Sequence, residues 1–124
     1  MLRTPLYDIH LQLGAKMVEF AGWEMPLLYT GIVEEHHHTR RAASIFDVSH
    51  MGRIALEGPG AQTLLSGLLT TDVEGLKDGR AKYSLVCGED GGILDDVVLL
   101  RRSEGRFLVV CNASNRLAML DWLM

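Results

Sequence analysis

Three apolar, strand-like segments lie close together in the second half of the chain and limit the fold more than any other feature. They cover residues 81–87, 93–101 and 106–111, and the turns "GEDGG" and "SEGR" connect them. Connections this short join antiparallel neighbours, because parallel strands need a crossover of about a dozen residues or more. The sequence therefore predicts two successive hairpins and an antiparallel sheet.

Helical patterns flank these strands. Thr4-Pro5 predicts the capped start of a helix that ends at Gly14, and residues 32–43 form a polar run in which two glutamates precede two arginines. Asn112 is predicted to cap a last helix over "ASNRLAMLDWLM". The segment "AQTLLSGLLT" predicts a short amphipathic helix whose core side carries Leu64, Leu65, Leu68 and Leu69. Helices beside an antiparallel sheet indicate the α+β class.

Two further strand segments are predicted before residue 60. One lies around Met17–Phe20, after which Gly22 and Pro26 are expected to interrupt regular structure. The other covers about residues 53–56 and ends at the turn Gly58-Pro59-Gly60.

Composition excludes several classes of partner. The chain has 124 residues and a net charge of −4, so no basic surface is available to attract nucleic acid or anionic lipid. No apolar run approaches the roughly 20 residues that span a bilayer, and the N-terminus lacks the pattern of a signal peptide. Cys87 and Cys111 lie in apolar runs, which favours reduced core thiols. A bacterial cytoplasmic protein is expected.

The last predicted helix is apolar up to Met124 and has no C-terminal cap. This favours an N-terminal piece of a longer protein.

The adjacent carboxylates of "GGILDDVV" are the least expected residues of the sheet. Asp95 and Asp96 lie inside an apolar strand pattern, although strands disfavour aspartate and burial of an unpaired carboxylate is costly. Successive strand side chains point to opposite faces, so the two cannot share one proton as a dyad. Two alternatives stay open: both bind backbone groups near the turn, or one faces a pocket and accepts a proton or holds an amine.

Two other polar clusters contain residue types that could form a site. In "FDVSHMG" the set Asp47, Ser49 and His50 lies too close in sequence for a hydrolase triad, so a loop with local hydrogen bonds is favoured. The run 36–38 holds three histidines, which fan out around a helix and cannot share one ion, so no metal site is predicted. Dinucleotide, P-loop and zinc motifs are absent from the sequence.

Several strings together resemble one family. "GAKMVEFAGWEMP", "FDVSHMG", "KYSLVCGEDGGILDDVV" and "VVCNASN" are similar, in order and over nearly the whole chain, to the N-terminal third of the glycine cleavage system T-protein (aminomethyltransferase) family. The resemblance implies that the full protein takes the aminomethyl group from the lipoyl arm of the H protein. It transfers the one-carbon unit to tetrahydrofolate, which releases ammonia and gives 5,10-methylenetetrahydrofolate.

The resemblance also implies roles for individual residues. Asp96 matches the family carboxylate that faces the pterin and engages an amine nitrogen or accepts its proton. Tyr83, Asn112 and Met51 match residues of the folate pocket, and Val98 lies on the same strand face as Asp96. An aromatic residue is common in the family where this chain has Leu100, and a glycine where it has Ser44.

The same resemblance implies an incomplete site. Other folate contacts, an acidic residue and arginines, come from sequence after residue 124. Residues 1–50 match part of a domain that later sequence completes, whereas residues 51–124 match one α+β folate-binding domain truncated in its last helix. The chain alone is therefore expected to lack activity, to expose apolar surface and to self-associate.

Two other hypotheses about function remain. The chain resembles, less directly, the folate domain of dimethylglycine or sarcosine oxidases, which usually follows a flavin domain. It is also compatible with a non-catalytic module that binds folate weakly or binds only a partner protein.

Overall fold

A computed structural model describes residues 1–124, and its helices and mostly antiparallel sheets confirm the predicted α+β class. The chain divides into two compact units, Met1–His50 and Met51–Met124. None of its helices is long enough and apolar enough to cross a membrane.

The first unit contains a small mixed sheet and two helices. Its elements are β1 (Leu2–Arg3), α1 (Tyr7–Gln12), β2 (Lys16–Phe20), β3 (Trp23–Leu28) and α2 (Ile32–Arg41). The central strand is β3, which pairs antiparallel with β2 and parallel with the two residues of β1. Strand β2 and helix α2 therefore lie where the sequence predicts them.

The structure corrects the prediction that Gly22 and Pro26 interrupt regular structure. Gly22 and its neighbour Ala21 both have positive φ and form the turn of the β2–β3 hairpin, and Pro26 lies inside β3. Proline is tolerated there because Pro26 lies next to a bulge, where the β2–β3 register shifts between Lys16 and Met17. It also lies beyond the residues of β3 that pair with β1.

The start of α1 also differs from the prediction. Leu6 occupies the N-cap position without a side-chain cap. Thr4 contributes its backbone carbonyl, which accepts the Tyr7 N–H at 3.1 Å.

The second unit packs helices on one face of a four-stranded antiparallel sheet. Its elements are β4 (Gly52–Glu57), α3 (Ala61–Leu68), β5 (Ala81–Cys87), β6 (Ile93–Ser103), β7 (Arg106–Cys111) and α4 (Arg116–Leu123). The strand order is β4-β7-β6-β5, so the two predicted hairpins form and β4 closes the sheet against β7.

Strand pleating gives this sheet one packed face and one open face. The packed face and the helices form a single apolar core, which includes Leu65, Leu69, Val86, Val97, Leu99, Phe107, Val109, Cys111, Met119 and Leu123. The alternate residues of β5 and β6 are more exposed and form the open face. The core therefore fixes which residues of β6 point outward.

Two predictions about the helices are wrong. Leu64 is exposed on α3, whereas the other three leucines, Leu65, Leu68 and Leu69, pack in or against the core. Asn112 does not cap a helix with its side chain. A short 3-10 turn, Ala113–Asn115, precedes α4, and the Asn112 amide is occupied by the two carboxylates described below.

Gly52 marks a close approach between β4 and the chain after β7. It pairs with Cys111, and a Cβ atom at this position would overlap the Cys111 Sγ and lie 2.9 Å from the Cβ of Arg116. The backbone of β4 can reach this register only without a side chain at residue 52.

We predict that Gly52→Ala destabilises the second unit by about 1–3 kcal/mol, because the added methyl group overpacks the core beside Cys111. Hydrogen exchange of the β6 and β7 amides measures the loss. Gly67→Ala is the matched control, since Gly67 lies in α3 with no atom near its virtual Cβ. Equal protection in both variants would contradict the packing argument.

Candidate functional site

The two central carboxylates of β6 lie on opposite faces of the sheet. Asp95 is buried, with 4% of its surface exposed, whereas Asp96 is exposed on the open face. Asp95 pairs with Val86 and Asp96 with Leu85 across the β5–β6 ladder. The alternation predicted from the pleat is therefore present, and only Asp96 can meet a ligand on the open face.

Tyr83 contacts Asp96 diagonally across the same face. Tyr83 pairs with Val98, two residues after Asp96, and its phenol donates a hydrogen bond to Asp96 Oδ2 at 3.1 Å. Desolvation and the bond to Asp96 both raise the pKa of Tyr83, so the phenol remains a donor. With 63% of its surface exposed, the Tyr83 ring also presents an aromatic face to a ligand.

Asn112, directly after β7, contacts both carboxylates. Its amide nitrogen lies 2.8 Å from Asp95 Oδ1 and 2.8 Å from Asp96 Oδ1. A primary amide carries two N–H donors, so each carboxylate can accept one of them. Asn112 thereby links the packed and the open face of the sheet.

Asp95 accepts hydrogen bonds from two residues after β7. The backbone N–H of Asn112 donates to Oδ2 at 3.1 Å, and the Asn115 amide donates to Oδ1 at 2.9 Å. Together with the Asn112 side chain, these groups give the buried carboxylate three N–H donors. This explains how aspartate is accommodated inside an apolar strand pattern.

The surroundings of Asp96 are apolar. Among the residues that β5 and β6 contribute to the open face, Asp96 is the only carboxylate, and its neighbours include Tyr83, Leu85, Leu94, Val98 and Leu100. Met51 directly precedes β4, one position beyond the Gly52–Cys111 pair, at the end of the sheet where Asn112 follows β7. The second unit thus holds all five residues predicted for the site.

This arrangement suits a flat ligand that carries N–H groups. Apolar and aromatic side chains offer a surface for a planar ring, and one oriented carboxylate offers acceptors for its polar edge. An ionised carboxylate also accepts a proton from an amine that becomes acidic during reaction.

Comparison with known proteins identifies the family. Residues 6–124 match the profile described as the GCVT N-terminal domain. The chain belongs to this family.

The relatives carry one name. The chain is 57% identical over 114 residues to the aminomethyltransferase of Rubrobacter xylanophilus, covering 92% of this chain and 30% of the relative. It is 49% identical over 123 residues to that of Thermotoga maritima, covering 99% of this chain and 34% of the relative. The chain spans about a third of the length of the curated relatives it matches.

A solved structure has the same fold. The glycine cleavage system aminomethyltransferase T from Bartonella henselae superposes with a TM-score of 0.93 at 48% sequence identity. The match covers 98% of this chain and 34% of that one. The family assignment therefore rests on sequence and on fold.

In this GCVT-family chain, Asp47 of the string "FDVSHMG" belongs to a buried polar cluster in the first unit. Asp47 Oδ2 accepts a hydrogen bond from His10 Nε2 at 2.9 Å, and His10 Nδ1 lies 2.7 Å from the Tyr29 hydroxyl. The side chains of His10 and Asp47 are 7% and 2% exposed. No local sequence pattern indicates His10 and Tyr29, because they lie 37 and 18 residues before Asp47.

Hydrogen bonds keep Asp47 ionised in this cluster. Burial alone would raise the pKa of the carboxyl group, but donors from His10 and Ser49 outweigh it and hold the pKa of Asp47 well below its usual range. The Ser49 N–H donates to Asp47 Oδ1 at 2.9 Å, which is the local loop hydrogen bond that the sequence favours.

The serine, histidine and aspartate of "FDVSHMG" do not form a hydrolase relay. The His50 ring lies edge-on to Phe20, with a centroid distance of 5.7 Å, and its Nδ1 has no hydrogen-bond partner. A relay needs the imidazole between serine and carboxylate. The cluster instead ties α1, the end of β3 and residues 47–49 together.

Two further features of the first unit lie apart from the five predicted site residues. His36 and His37 pack edge to face on α2, and no group of three or more His, Cys, Asp or Glu side chains is placed to hold a metal ion. A cavity of about 790 Å³ lies among β3, α2 and residues 43–47, and none of the five predicted site residues lines it.

We predict that Asp47→Asn destabilises the first unit by about 2–3 kcal/mol at pH 7, because it removes a charged acceptor from buried donors. The pKa of Asp47 is depressed on folding, so this contribution is present above the unfolded value near pH 4 and is lost below it. The stability difference between wild type and variant should therefore shrink from pH 5 toward pH 2.

Urea unfolding followed by Trp23 fluorescence in a Trp122→Phe background reports on the first unit. Asp8→Asn is the control, since Asp8 is exposed on α1. A stability difference that stays constant over this pH range would refute the role of the Asp47 charge.

Proposed function

We propose that this chain is the folate-facing part of an aminomethyltransferase of glycine cleavage. The whole protein would take the aminomethyl group from the lipoylated H protein and transfer the one-carbon unit to tetrahydrofolate, with release of ammonia and formation of 5,10-methylenetetrahydrofolate. Membership in the GCVT family and the name of the relatives support this proposal.

One observation carries the assignment to the second unit. Asp96 is the single carboxylate that β5 and β6 place on the open face, and it is held by a phenol on one oxygen and an amide on the other. A pterin is a planar heterocycle with N–H groups at its edge, which matches an apolar surface with one fixed acceptor. Tyr83, Val98, Met51 and Asn112 are proposed to line its binding surface.

Asp96 is the proposed catalytic residue. Its carboxylate would accept a hydrogen bond from a folate amine, orient that nitrogen toward the one-carbon unit and take up the proton that the nitrogen loses. Proton transfer to a positioned side chain contributes about 10²–10⁴ in rate. Tyr83 donates to Asp96 Oδ2 and therefore helps to hold the carboxylate in one orientation.

The proposed activity belongs to the whole protein. The chain covers 30% to 34% of the length of its curated relatives. Further folate contacts and the completion of the first unit are proposed to come from later sequence. Exposed apolar side chains such as Ile45 and Phe46 are consistent with such completion. We expect the protein to act in the bacterial cytoplasm.

We predict that Asp96→Asn lowers kcat by about 100-fold or more, because an amide cannot accept the proton. The assay uses a chimera in which residues 1–124 replace the matching third of the Thermotoga maritima relative, with aminomethylated H protein and tetrahydrofolate as substrates. Asp95→Asn should cost much less, since Asp95 lies on the packed face. Equal losses in the two variants would contradict the assignment of Asp96.

We predict that the 124-residue chain alone has no aminomethyltransferase activity in the same assay and forms oligomers through its exposed apolar surface. Light scattering after size-exclusion chromatography measures its mass. Turnover by the chain alone would show that a complete site lies within these residues, and a monomer at micromolar concentration would contradict the expected self-association.

A further inference from the structure

Asp96, on the open face, is linked to the buried Asp95 next to it through the side-chain amide of Asn112. The Asn112 side chain donates to Asp96 and to Asp95, at 2.8 Å in each case. The Asn112 backbone N–H also donates to Asp95, so this residue is held to the buried carboxylate at two points.

We infer that Asp95 is a positioning residue, which fixes the Asn112 amide and thereby the orientation of the Asp96 carboxylate. This inference rests on the proposed function of Asp96 in aminomethyl transfer. Asp95 itself is on the packed face and does not touch the ligand surface.

The chemistry of an amide makes this link directional. Carbonyl and nitrogen of an asparagine side chain are nearly equal in shape, and without a constraint the group can rotate to present either one. Two carboxylate oxygens accept hydrogen bonds but cannot donate them, so the pair Asp95 and Asp96 selects the orientation with the nitrogen between them. In Asp95→Asn, only one of the two carboxylates that fix the orientation of the Asn112 amide remains.

Asn115 strengthens the same arrangement from the other side. Its amide donates to Asp95 Oδ1, the oxygen that also accepts from Asn112. Asp95 is therefore held between two asparagines of the segment that leads into α4, whereas its backbone belongs to β6. Burial of Asp95 strengthens these hydrogen bonds, because little water reaches its oxygens.

The consequence for catalysis concerns rate more than binding. A carboxylate that is free to rotate about its last bond still offers acceptors to a bound ligand, but it spends less time aligned with the reacting nitrogen. We expect Asp95→Asn to lower kcat about tenfold and to change KM for tetrahydrofolate by less than about twofold.

A double-mutant cycle in the chimera tests this route. If Asp95 acts through Asp96, adding Asp95→Asn to Asp96→Asn should lower kcat by less than about twofold further, because there is no longer a proton acceptor to orient. Losses that multiply in the double variant would show that Asp95 acts independently and would overturn the inference.

Asn115→Ala provides a second variant that leaves both carboxylates in place. It should lower kcat about threefold, since Asp95 keeps its two bonds to Asn112. Asp121→Asn is the matched control for a charge change in the same unit, because Asp121 lies exposed on α4. Hydrogen exchange of β6 amides identifies a variant that loses activity through unfolding.

An NMR measurement on the 124-residue chain separates this inference from the proposed function. In wild type, the two side-chain N–H signals of Asn112 should be well resolved and should shift in both Asp95→Asn and Asp96→Asn, whereas Asp121→Asn leaves them unchanged. If the wild-type chimera is inactive, the proposed function fails, and the NMR signals alone test whether Asn112 links Asp95 to Asp96. If Asp95→Asn leaves the chemical shifts of the Asn112 side chain unchanged, the inference is overturned, whether or not the chimera is active.

Discussion

The pairing of β6 between β5 and β7 is the constraint on which the candidate site depends. Strand β5 pairs with β6 from Ile93 to Leu100, and β7 pairs with it from Val98 to Ser103, so each side chain of β6 is committed to one face of the sheet. Val97 and Leu99 are buried in the core, so Asp95 must be buried with them and Asp96 must point outward. A slip of one residue would exchange the two carboxylates and expose the core.

Asp95 can be buried without a large loss of stability because residues after β7 donate hydrogen bonds to its carboxylate. Asn112 and Asn115 bring three N–H donors to one carboxylate, and the same segment starts the path into α4. The Asn112 side-chain amide, which donates to Asp95 on the packed face, also donates to Asp96 on the open face. Asn112 therefore connects the buried Asp95 with the carboxylate that is proposed to face folate.

A buried carboxylate with several hydrogen-bond donors is also present in the first unit. Asp47 is buried and ionised, and its donors come from α1 and from its own loop. Here the polar cluster joins segments that are distant in sequence, and its Tyr29–His10–Asp47 chain is fully engaged in that role. The string "FDVSHMG" is thus structural in its first part, while its last two residues begin the second unit at Met51 and Gly52.

The sequence by itself determined the hairpins of the second unit, the α+β class and the opposite facing of Asp95 and Asp96, because strand periodicity and turn chemistry are local properties. Family resemblance added the expectation that Asp96 faces folate. Only the tertiary structure decided the partners of these carboxylates. The sequence predicts that Asn112 caps a helix and that Pro26 interrupts regular structure. In the structure, Asn112 instead contacts Asp95 and Asp96, and Pro26 lies next to a bulge in the β2–β3 pairing. Contacts between residues far apart in sequence follow from packing, which no local pattern records.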